Sequence, residues 1–447
     1  MDSYDVEVCR EDRPRLGDRL RQPTGRSGDV EISFGRLTIP VRSTSRPGAP
    51  TALLTLDAVR HGIAFPSGIV LHAQPTEAGT VRIGPLIGIL TAGHLTRGRL
   101  DRRSPFTYQS YLFENLARAA RRMHGLVFAF EPVGLDWVAG RIDGWTWVGG
   151  SWREVRMPFP DAVYNRVPNR RLEAQERVQA TLATLARSGV PVFNPHFIDK
   201  EELYESLLAD PEVSHFLPPT KPLRHYSQVT DSLAESPIVY LKPRFGSLGN
   251  GIVRLERVSA NLIRVRYRSN NKNHSRLLPQ REMREFVSSL TEGKDYVCQR
   301  GIELPLYRGR PFDFRILTQK DGAGVWRLTG MGVRVAGAGA ITTHVPSGGS
   351  IARVDRVLSS VFGRDADRVA GNLRAAIATI APAIERDLNE TFGELSMDLG
   401  VDRLGNVWFF EANSKPHKFD EDAIRLPSWD RTIQYAAYLG GFPGLSG

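Results

Sequence analysis

The pattern of apolar and polar positions changes twice along the chain. Residues 1–84 carry short segments of alternating apolar and polar residues, such as VEISFGRLTIPV and GIVLHA, separated by Gly, Pro and Ser. Alternation with a period of two is typical of half-buried β-strands. We therefore predict a small β-rich N-terminal domain in residues 1–84.

From residue 85 onward, strands alternate with helices. The apolar run PLIGILTAG precedes SYLFENLARAARRMHG, which has helical spacing, and a second helix is predicted over RLEAQERVQATLATLARSG. Such alternation is typical of an open, parallel α/β sheet, which we expect in residues 85–195. Residues 196–447 have the longer strands, hairpin turns and helices of an α+β domain. The predicted fold class is therefore a multidomain protein of α/β and α+β parts.

Composition adds a basic bias. The 447 residues include 59 Lys and Arg against 49 Asp and Glu, a formal net charge of +10. This charge favours anionic partners such as a nucleotide, an acidic polymer or nucleic acid, although a bias of the genome toward arginine explains it equally well. The arginines are spread along the chain without interleaved aromatic residues, so we expect no nucleic-acid partner.

Cysteine content and hydropathy indicate the cellular compartment in which the protein works. Cys9 and Cys298 are the two cysteines of the chain, so no disulfide framework is predicted. The sequence has no apolar run long enough to span a bilayer and no signal peptide at its start. We expect a cytoplasmic protein that does not contact a membrane.

A lysine and a glycine-rich loop occur together in PIVYLKPRFGSLGNGIVRLE, residues 237–256. Lys242 ends an apolar strand, and it is one of eight lysines in a chain whose usual cation is arginine. Backbone amides of the loop could hydrogen-bond phosphates while Lys242 contacts their charge. A plain hairpin turn explains the same loop. The predicted phosphate-binding loop residues are Gly246, Ser247, Gly249 and Gly251.

The segment PFDFRILTQ, residues 311–319, places Asp313 and Arg315 on one face of a predicted strand. We predict that Asp313 holds the guanidinium of Arg315 against a phosphate. The alternative is an ordinary cross-strand salt bridge.

Two strands flank the turn DRLGN in LSMDLGVDRLGNVWFFEANSKP, residues 395–416. A hairpin in this register places Asp398 beside Phe410 or Glu411, and Asn413 shares a strand face with Glu411. Carboxylate and amide oxygens without His or Cys suit Mg²⁺. We predict a magnesium site here, against the alternative of a solvent-facing acidic hairpin.

Taken in order, these segments resemble the ATP-grasp superfamily, and within it the endospore coat-associated YheC/YheD family. The segment GVPVFNPHFIDKEELYESLL resembles the one that supplies the first nucleotide lysine, here Lys200, and Lys242 matches the second. YVCQRGIEL resembles the hinge whose backbone meets adenine, through Gln299, Arg300, Gly301 and Ile302. The similarity covers roughly residues 85–430, and residues 1–84 have no clear counterpart in ATP-grasp enzymes outside this family.

The resemblance also assigns the remaining residues of the site. It implies that Arg315 is the phosphate arginine and that Arg334, in GVRVAGAGAITTHVPSGGS, binds phosphate or substrate. Asp398, Glu411 and Asn413 match the magnesium ligands. His344 stands where related ligases often have asparagine.

The resemblance implies an ATP-grasp domain in residues 196–447, preceded by a pre-ATP-grasp α/β domain in residues 85–195. The implied activity uses ATP and Mg²⁺ to activate a substrate carboxylate as an acyl phosphate and to join it to an amine or thiol. The expected partners are the nucleotide, a carboxylate or amine substrate such as an acidic peptide or polymer, and spore coat proteins. The alternative is a non-catalytic, nucleotide-binding structural component of the spore coat.

The substrate site is predicted from DAVYNRVPNRR, residues 161–171, because open α/β sheets bind ligands beyond the carboxyl ends of their strands. We predict that Arg166 holds an acidic substrate, with Tyr164 and Asn165 beside it and Arg334 on the other side. The alternative is that Arg166 forms a structural pair at a domain boundary.

Overall fold

The structure is a computed structural model, and its four main β-sheets follow one another along the chain. The residues that it describes are 4–8, 18–22, 28–44, 52–56, 63–64, 69–76, 80–94, 103–244, 251–269, 272–337, 343, 348–417 and 419–445.

The first sheet has seven strands, in the order β1-β6-β7-β3-β4-β5-β2. Neighbouring strands are antiparallel except β3 and β7, which are parallel. Their bounds are β1 Tyr4–Val8, β2 Asp18–Gln22, β3 Gly28–Phe34, β4 Leu37–Thr44, β5 Ala52–Leu56, β6 Ile69–Pro75 and β7 Val81–Gly84. The strand-rich character predicted for residues 1–84 is confirmed by these seven strands.

The second sheet has the order β10-β11-β9-β8-β13-β14, and β12 pairs with β11. Its strands are β8 Leu86–Leu90, β9 Leu126–Phe130, β10 Leu135–Asp136, β11 Arg141–Val148, β12 Ser151–Pro158, β13 Ala162–Asn165 and β14 Val192–Phe193. The central strands β9, β8, β13 and β14 are parallel, as predicted. By contrast, β11 and β12 form an antiparallel hairpin, because Gly149 and Gly150 have the positive φ angles, 58° and 78°, that a tight two-residue turn requires.

Three helices accompany the second sheet: α1 Ser110–Arg122, α2 Arg170–Glu173 and α3 Glu176–Arg187. The single helix predicted over residues 171–189 is thus two helices. They are separated where Gln175 adopts an extended conformation, with φ −67° and ψ 135°.

The third sheet, which we call the small sheet, has the antiparallel order β15-β20-β16-β17-β18-β19. Helices α5 and α6 pack on its face that carries Val239 and Leu241. Because side chains alternate along a strand, Tyr240 and Lys242 point to the opposite face. The bounds are β15 Thr220–Pro222, β16 Ile238–Pro243, β17 Val253–Ser259, β18 Leu262–Ser269, β19 Lys272–Pro279, β20 Tyr296–Arg300, α5 Ser227–Glu235 and α6 Met283–Thr291.

The fourth sheet, which we call the large sheet, has the order β24-β23-β22-β25-β26, with β21 beside β22. Phe312, Phe314 and Ile316 of β22 pack into a core with helices α7 and α8, on the face that the sequence predicts to be apolar. The bounds are β21 Leu306–Tyr307, β22 Arg310–Lys320, β23 Trp326–Val335, β24 Ser350–Ala352, β25 Glu394–Val401, β26 Val407–Asn413, α4 Lys200–Ala209, α7 Val354–Phe362, α8 Ala366–Leu388 and α9 Asp422–Leu439.

Helix α9 connects the large sheet to the second sheet. Its buried residues Trp429 and Ile433 pack in one core with Phe113 of α1 and Tyr164 of β13. None of the helices in the described part of the chain combines the length and the apolar character needed to cross a membrane. We propose that the sheets mark domains at residues 1–84, 85–195 and 196–447.

Candidate functional site

The polar face of the large sheet carries a row of charged side chains. Arg315 on β22 is directly opposite Asp398 on β25, which is directly opposite Glu411 on β26. Asp313 is opposite Arg334 on β23. Side chains of directly opposed residues share a sheet face, so these five groups lie side by side.

The hairpin formed by β25 and β26 has the predicted register. Asp398 pairs with Glu411, and a bulge follows between Asp398 and Leu399. The Asn413 amide donates a hydrogen bond to Oε1 of Glu411, with an N–O distance of 3.2 Å. The three oxygen-bearing side chains predicted to converge are therefore adjacent.

The two carboxylates of this group are paired with cations. Oε2 of Glu411 lies 3.2 Å from Nζ of Lys200, and Oδ2 of Asp398 lies 2.8 Å from Nη2 of Arg334. Both carboxylates are partly exposed to the space between the two sheets. They can therefore exchange these partners for a ligand without unfolding a strand.

The donor chemistry of Asp398, Glu411 and Asn413 fits Mg²⁺. Carboxylate and amide oxygens are the hard ligands that this ion prefers. In the part of the chain that the structure describes, no group of three His, Cys, Asp or Glu side chains could hold a metal. A magnesium ion here would thus need further oxygens, which phosphates and water commonly supply.

Lys242 projects from the small sheet toward the same row. Its Nζ lies 5.8 Å from the ring centre of Phe410 and 6.0 Å from that of Tyr240. The pKa of Lys242 is lowered to about 8, mainly by burial and also by the positive charge of Lys200, while Glu411 and Asp398 oppose the shift. A desolvated lysine next to a second lysine is a strong site for an anion.

Two adjoining cavities of about 220 Å³ and 490 Å³ lie between the small and large sheets, and we call them together the cleft. Their combined size is within the range of small-molecule sites, roughly 300–1,000 Å³. Residues that line both cavities are Lys242, Ile252, Gln299, Phe410 and Glu411.

The predicted hinge borders the cleft. Gln299, Arg300 and Ile302 line it, whereas Gly301 packs so closely on Ile238 that a Cβ there would lie 2.3 Å from a side-chain carbon. The N–H groups of Arg300 and Gly301 donate to the carbonyls of Pro219 and Ile238. These two N–H groups are therefore already hydrogen-bonded, and an adenine base at the hinge would have to contact the backbone of Ile302 instead.

Part of the predicted phosphate loop lies outside the described residues, namely Gly246, Ser247 and Gly249, and so does His344. Gly251 is described, and its φ of 78° is a conformation that other residues rarely adopt. Its carbonyl accepts a hydrogen bond from the Tyr296 hydroxyl at 3.2 Å.

The predicted contact between Asp313 and Arg315 is wrong. Nε and Nη2 of Arg334 donate to the two oxygens of Asp313, at 2.9 Å and 2.8 Å. Directly opposed residues on neighbouring strands are about 5 Å apart, whereas residues two apart on one strand are about 7 Å apart, so the cross-strand partner is closer. Burial would lower the pKa of Arg334, but Asp398 and Asp313 raise it above its usual value.

The side chain of Arg315 points away from Asp313. Its guanidinium carbon lies 4.8 Å from the ring centre of Phe419, and Nη2 donates to the His417 carbonyl at 3.5 Å. Arg315 therefore lies between the row of carboxylates and the chain that follows β26.

Two of the predicted substrate residues, Tyr164 and Asn165, are buried, although Tyr164 lines the same cavity as Arg166. The Tyr164 hydroxyl donates to Glu394, and its ring stacks on Phe193 with centres 4.7 Å apart. The Asn165 amide donates to the Pro195 carbonyl at 2.6 Å. Arg166 lines a separate cavity from the one that Arg334 lines, so these two arginines do not flank one ligand as predicted.

Sequence reasoning missed the chain segment after Asn413. The Asn194 amide donates to the Ser414 carbonyl, and Lys415, only 2% exposed, forms an ion pair with Glu173. Asn165 also contacts Glu173. We call this buried contact the seam; it is formed by Asn165, Glu173, Asn194, Ser414 and Lys415. A lysine two residues after Asn413, in a chain with eight lysines, was the available signal.

Comparisons with known proteins show the family to which the chain belongs. The sequence model of the YheC/D-like ATP-grasp family matches residues 189–439, more than half of the chain. The endospore coat-associated protein YheD of Bacillus subtilis (strain 168) is 30% identical over 430 residues, which cover 92% of this chain and 91% of YheD.

Two more distant proteins are also similar. The endospore coat-associated protein YheC of the same organism is 23% identical over 270 residues, which cover 60% of this chain and 73% of YheC. The crystal structure of D-cycloserine synthetase DcsG superposes with a TM-score of 0.41 at 17% identity, over 79% of this chain and 99% of that one. The family match and the long alignment with YheD confirm the resemblance: the chain belongs to the YheC/D-like ATP-grasp family and has the ATP-grasp fold.

Proposed function

We propose that the protein is an ATP-dependent ligase that activates a substrate carboxylate as an acyl phosphate and joins it to an amine or a thiol. The observation that supports this most is that Asp398 and Glu411, with Asn413 beside Glu411, face Lys242 across the cleft. In a member of the ATP-grasp family, this arrangement suits a nucleoside triphosphate bound between the two sheets.

Different residues at the cleft would bind different parts of the nucleotide and its magnesium ion. Lys200 and Lys242 pair with phosphate oxygens, and Asp398, Glu411 and Asn413 hold Mg²⁺, which neutralises phosphate charge. Arg315 contacts the transferred phosphoryl group. Arg334, whose fork Asp313 keeps in place, supplies a second fixed cation to the same group. Such preorganised charges favour the transition state of phosphoryl transfer.

The reaction needs no nucleophilic side chain. An oxygen of the substrate carboxylate forms a bond to the γ-phosphorus of ATP, and the bond from that phosphorus to the ADP oxygen breaks. The amine nitrogen then forms a bond to the acyl carbon, phosphate leaves with the electron pair, and the nitrogen loses a proton. The protein contributes position and charge.

Arg166 remains the proposed substrate residue, because its cavity adjoins Arg315 through His417 and Phe419. The net charge of +10 is compatible with an acidic peptide or polymer as substrate.

A second candidate is a structural component of the spore coat that binds a nucleotide without turnover. It is favoured by the names of both curated relatives, which are endospore coat-associated proteins. On either hypothesis we propose an association with the endospore coat.

Hydroxylamine trapping separates the two candidates. The protein is incubated with ATP, Mg²⁺, hydroxylamine and a panel of amino acids and acidic peptides, and both ADP and acyl hydroxamates are measured. A ligase forms ADP and hydroxamate in equal amounts with at least one acid, and Glu411→Gln abolishes both. Nucleotide binding without either product would support the structural candidate.

A further inference from the structure

We propose that the cavity beside Arg166 is the pocket for the carboxylate substrate, and that it takes a small carboxylic acid carrying an apolar or aromatic group. This inference rests on the proposed ligase function and gives its substrate a chemical class. The cavity measures about 170 Å³ and lies where α1, β13, the segment after β26 and α9 meet. Leu317 of the large sheet also lines it.

The register of the large sheet places this cavity next to the magnesium residues. Arg315, Asp398 and Glu411 form one row on the polar face, and Leu317, Ser396 and Asn413 form the next. Successive rows on one sheet face are about 7 Å apart. An acid lying on Leu317 is therefore one row away from the group that would hold the phosphates.

Arg315 links the two places. Its strand neighbour across the sheet is Asp398, while its guanidinium lies over Phe419 and donates to the His417 carbonyl. Phe419 and His417 both line the cavity. A carboxylate in the cavity would thus approach a phosphoryl group with Arg315 beside both reactants, which is the proximity that such a transfer requires.

Arg166 gives the cavity its preference for an anion. Its Nη2 donates to the Pro416 carbonyl at 3.1 Å, and Nη1 lies 3.6 Å from Glu394. Glu394 already accepts hydrogen bonds from Tyr164 and Gln319, so its pairing with Arg166 is loose. Within the described residues, Nε and Nη1 of Arg166 are buried and lack a well-aligned hydrogen bond, although Tyr164 and Glu394 interact electrostatically with the guanidinium.

Buried donors without an acceptor destabilise a protein, and a bound carboxylate offers acceptors at this position. Arg425 also lines the cavity and pairs with Asp422 through Nη2, but its buried Nε makes no hydrogen bond with the described residues. Two guanidinium groups with unused donors therefore border one small cavity. Guanidinium and carboxylate are matched in shape as well as in charge.

The remaining walls are aromatic and apolar. Tyr111 and Trp429 meet edge to face with ring centres 6.0 Å apart, and the buried side chains of Phe419 and Leu317 also line the cavity. Tyr108 and Tyr111 are 71% and 47% exposed at the rim. Because the cavity is smaller than most ligand sites, roughly 300–1,000 Å³, it fits a molecule of amino-acid size or the end of a longer chain.

Direct binding tests the proposal without turnover. Calorimetric titrations of the full chain use 3-phenylpropionate, its neutral amide and 3-phenylpropylamine, with and without a non-hydrolysable ATP analogue and Mg²⁺. We expect 3-phenylpropionate to bind at least about tenfold more tightly than its neutral amide or the cationic 3-phenylpropylamine. Failure of the acid to bind, or equal binding of the amide or the amine, overturns the proposal.

Matched variants locate the binding. Arg166→Gln should weaken the acid by about tenfold or more and remove its preference over the amide. The same variant should bind the ATP analogue normally. Arg171→Gln, an exposed arginine on α2, is the control and should change neither. Unchanged acid binding by Arg166→Gln, or equal loss of nucleotide and acid, overturns the assignment.

If Arg166→Gln does not fold, as judged by circular dichroism, Tyr111→Ser takes its place. This variant should weaken 3-phenylpropionate by about threefold or more through loss of ring contact, yet leave acetate binding unchanged. An unchanged affinity for 3-phenylpropionate would overturn the aromatic part of the pocket.

The ligase function and the pocket can fail separately. If hydroxamates form and Arg166→Gln leaves the KM for the acid unchanged, the pocket assignment fails while the function stands. If 3-phenylpropionate binds through Arg166 but no acid is activated, the function fails while the pocket stands.

Discussion

In the cleft, charged side chains lie on the surface of a sheet, whereas in the seam they lie inside the protein. Glu411, 27% exposed, pairs with Lys200, which is 35% exposed. Lys415 and Glu173 are 2% and 8% exposed. Both regions contain a lysine and a glutamate in contact, yet only the first pair can separate at little cost.

The difference explains how similar residues can serve opposite purposes. A partly exposed ion pair contributes little to stability, about 0–1 kcal/mol, so its members can turn to a ligand. Removing one member of a buried pair leaves a desolvated charge and destabilises the protein strongly. We therefore expect cleft variants to lose function and seam variants to lose stability.

Lys415→Met should have the largest effect, a loss of about 3–5 kcal/mol in the free energy of unfolding, because Glu173 is left buried and unpaired. Urea denaturation measures it, with Lys294→Met, an exposed lysine, as the control. The affinity of the remaining folded protein for ATP should be unchanged. A loss of stability no greater than that of the control would show that the seam does not hold its charges as described.

Glu411→Gln should behave in the opposite way. It keeps the side-chain volume but removes a charge from the proposed magnesium site, so turnover should fall by at least about 100-fold while the urea midpoint stays within error. Glu285→Gln, an exposed glutamate on α6, is the control. Full ATP-dependent activity of Glu411→Gln at ordinary Mg²⁺ concentrations would remove Glu411 from the site.

The two regions also differ in how far the sequence predicts them. The turn DRLGN sets the register of its own hairpin, so the pairing of Asp398 with Glu411 followed from residue spacing. The bulge after Asp398 has no clear sequence signal, so residue spacing alone does not distinguish Glu411 from Phe410 as the partner of Asp398.

Residue spacing along the sequence could not predict the contacts of Arg334 or those of the seam. Arg334 reaches Asp313 across a hairpin with a register shift at Leu317, so spacing along one strand gave the wrong partner. Lys415 and Glu173 are 242 residues apart and meet only in the folded protein, where α2 contacts the segment after β26. Local patterns predict the strands and their faces, but the packing of sheets on each other decides which charges are buried.

Lys242→Met should weaken nucleotide binding by roughly 10- to 150-fold, the value of one charge-assisted hydrogen bond of about 1.5–3 kcal/mol. Calorimetric titration with ATP or a non-hydrolysable analogue measures it. Lys272→Met, an exposed lysine on β19 of the same sheet, is the control. Binding as tight as in the control would exclude Lys242 from the phosphate site.

The smallest effect predicted from the comparison of cleft and seam is a pH dependence that separates two lysines whose pKa values are both lowered to about 8. Burial lowers the pKa of Lys242 in the cleft and of Lys415 in the seam to about 8. Below that pH Lys242 is charged and phosphate binding is at full strength, whereas above it the free protein must take up a proton to bind. Affinity for ATP should therefore fall as the pH rises through 8, by about tenfold between about pH 7 and 9.

Proton uptake on binding tests the same assignment. At a pH equal to the pKa, about half a proton is taken up per nucleotide, and titrations in buffers of different ionisation enthalpy measure it. Lys242→Met should remove this uptake and flatten the pH profile. Lys415→Met should leave both unchanged, because Lys415 contacts Glu173 and Phe197 in the seam and does not line the cleft. If Lys415→Met also abolished the uptake, the proton would not be taken up by Lys242 alone, and the assignment of the uptake to the phosphate site would be wrong.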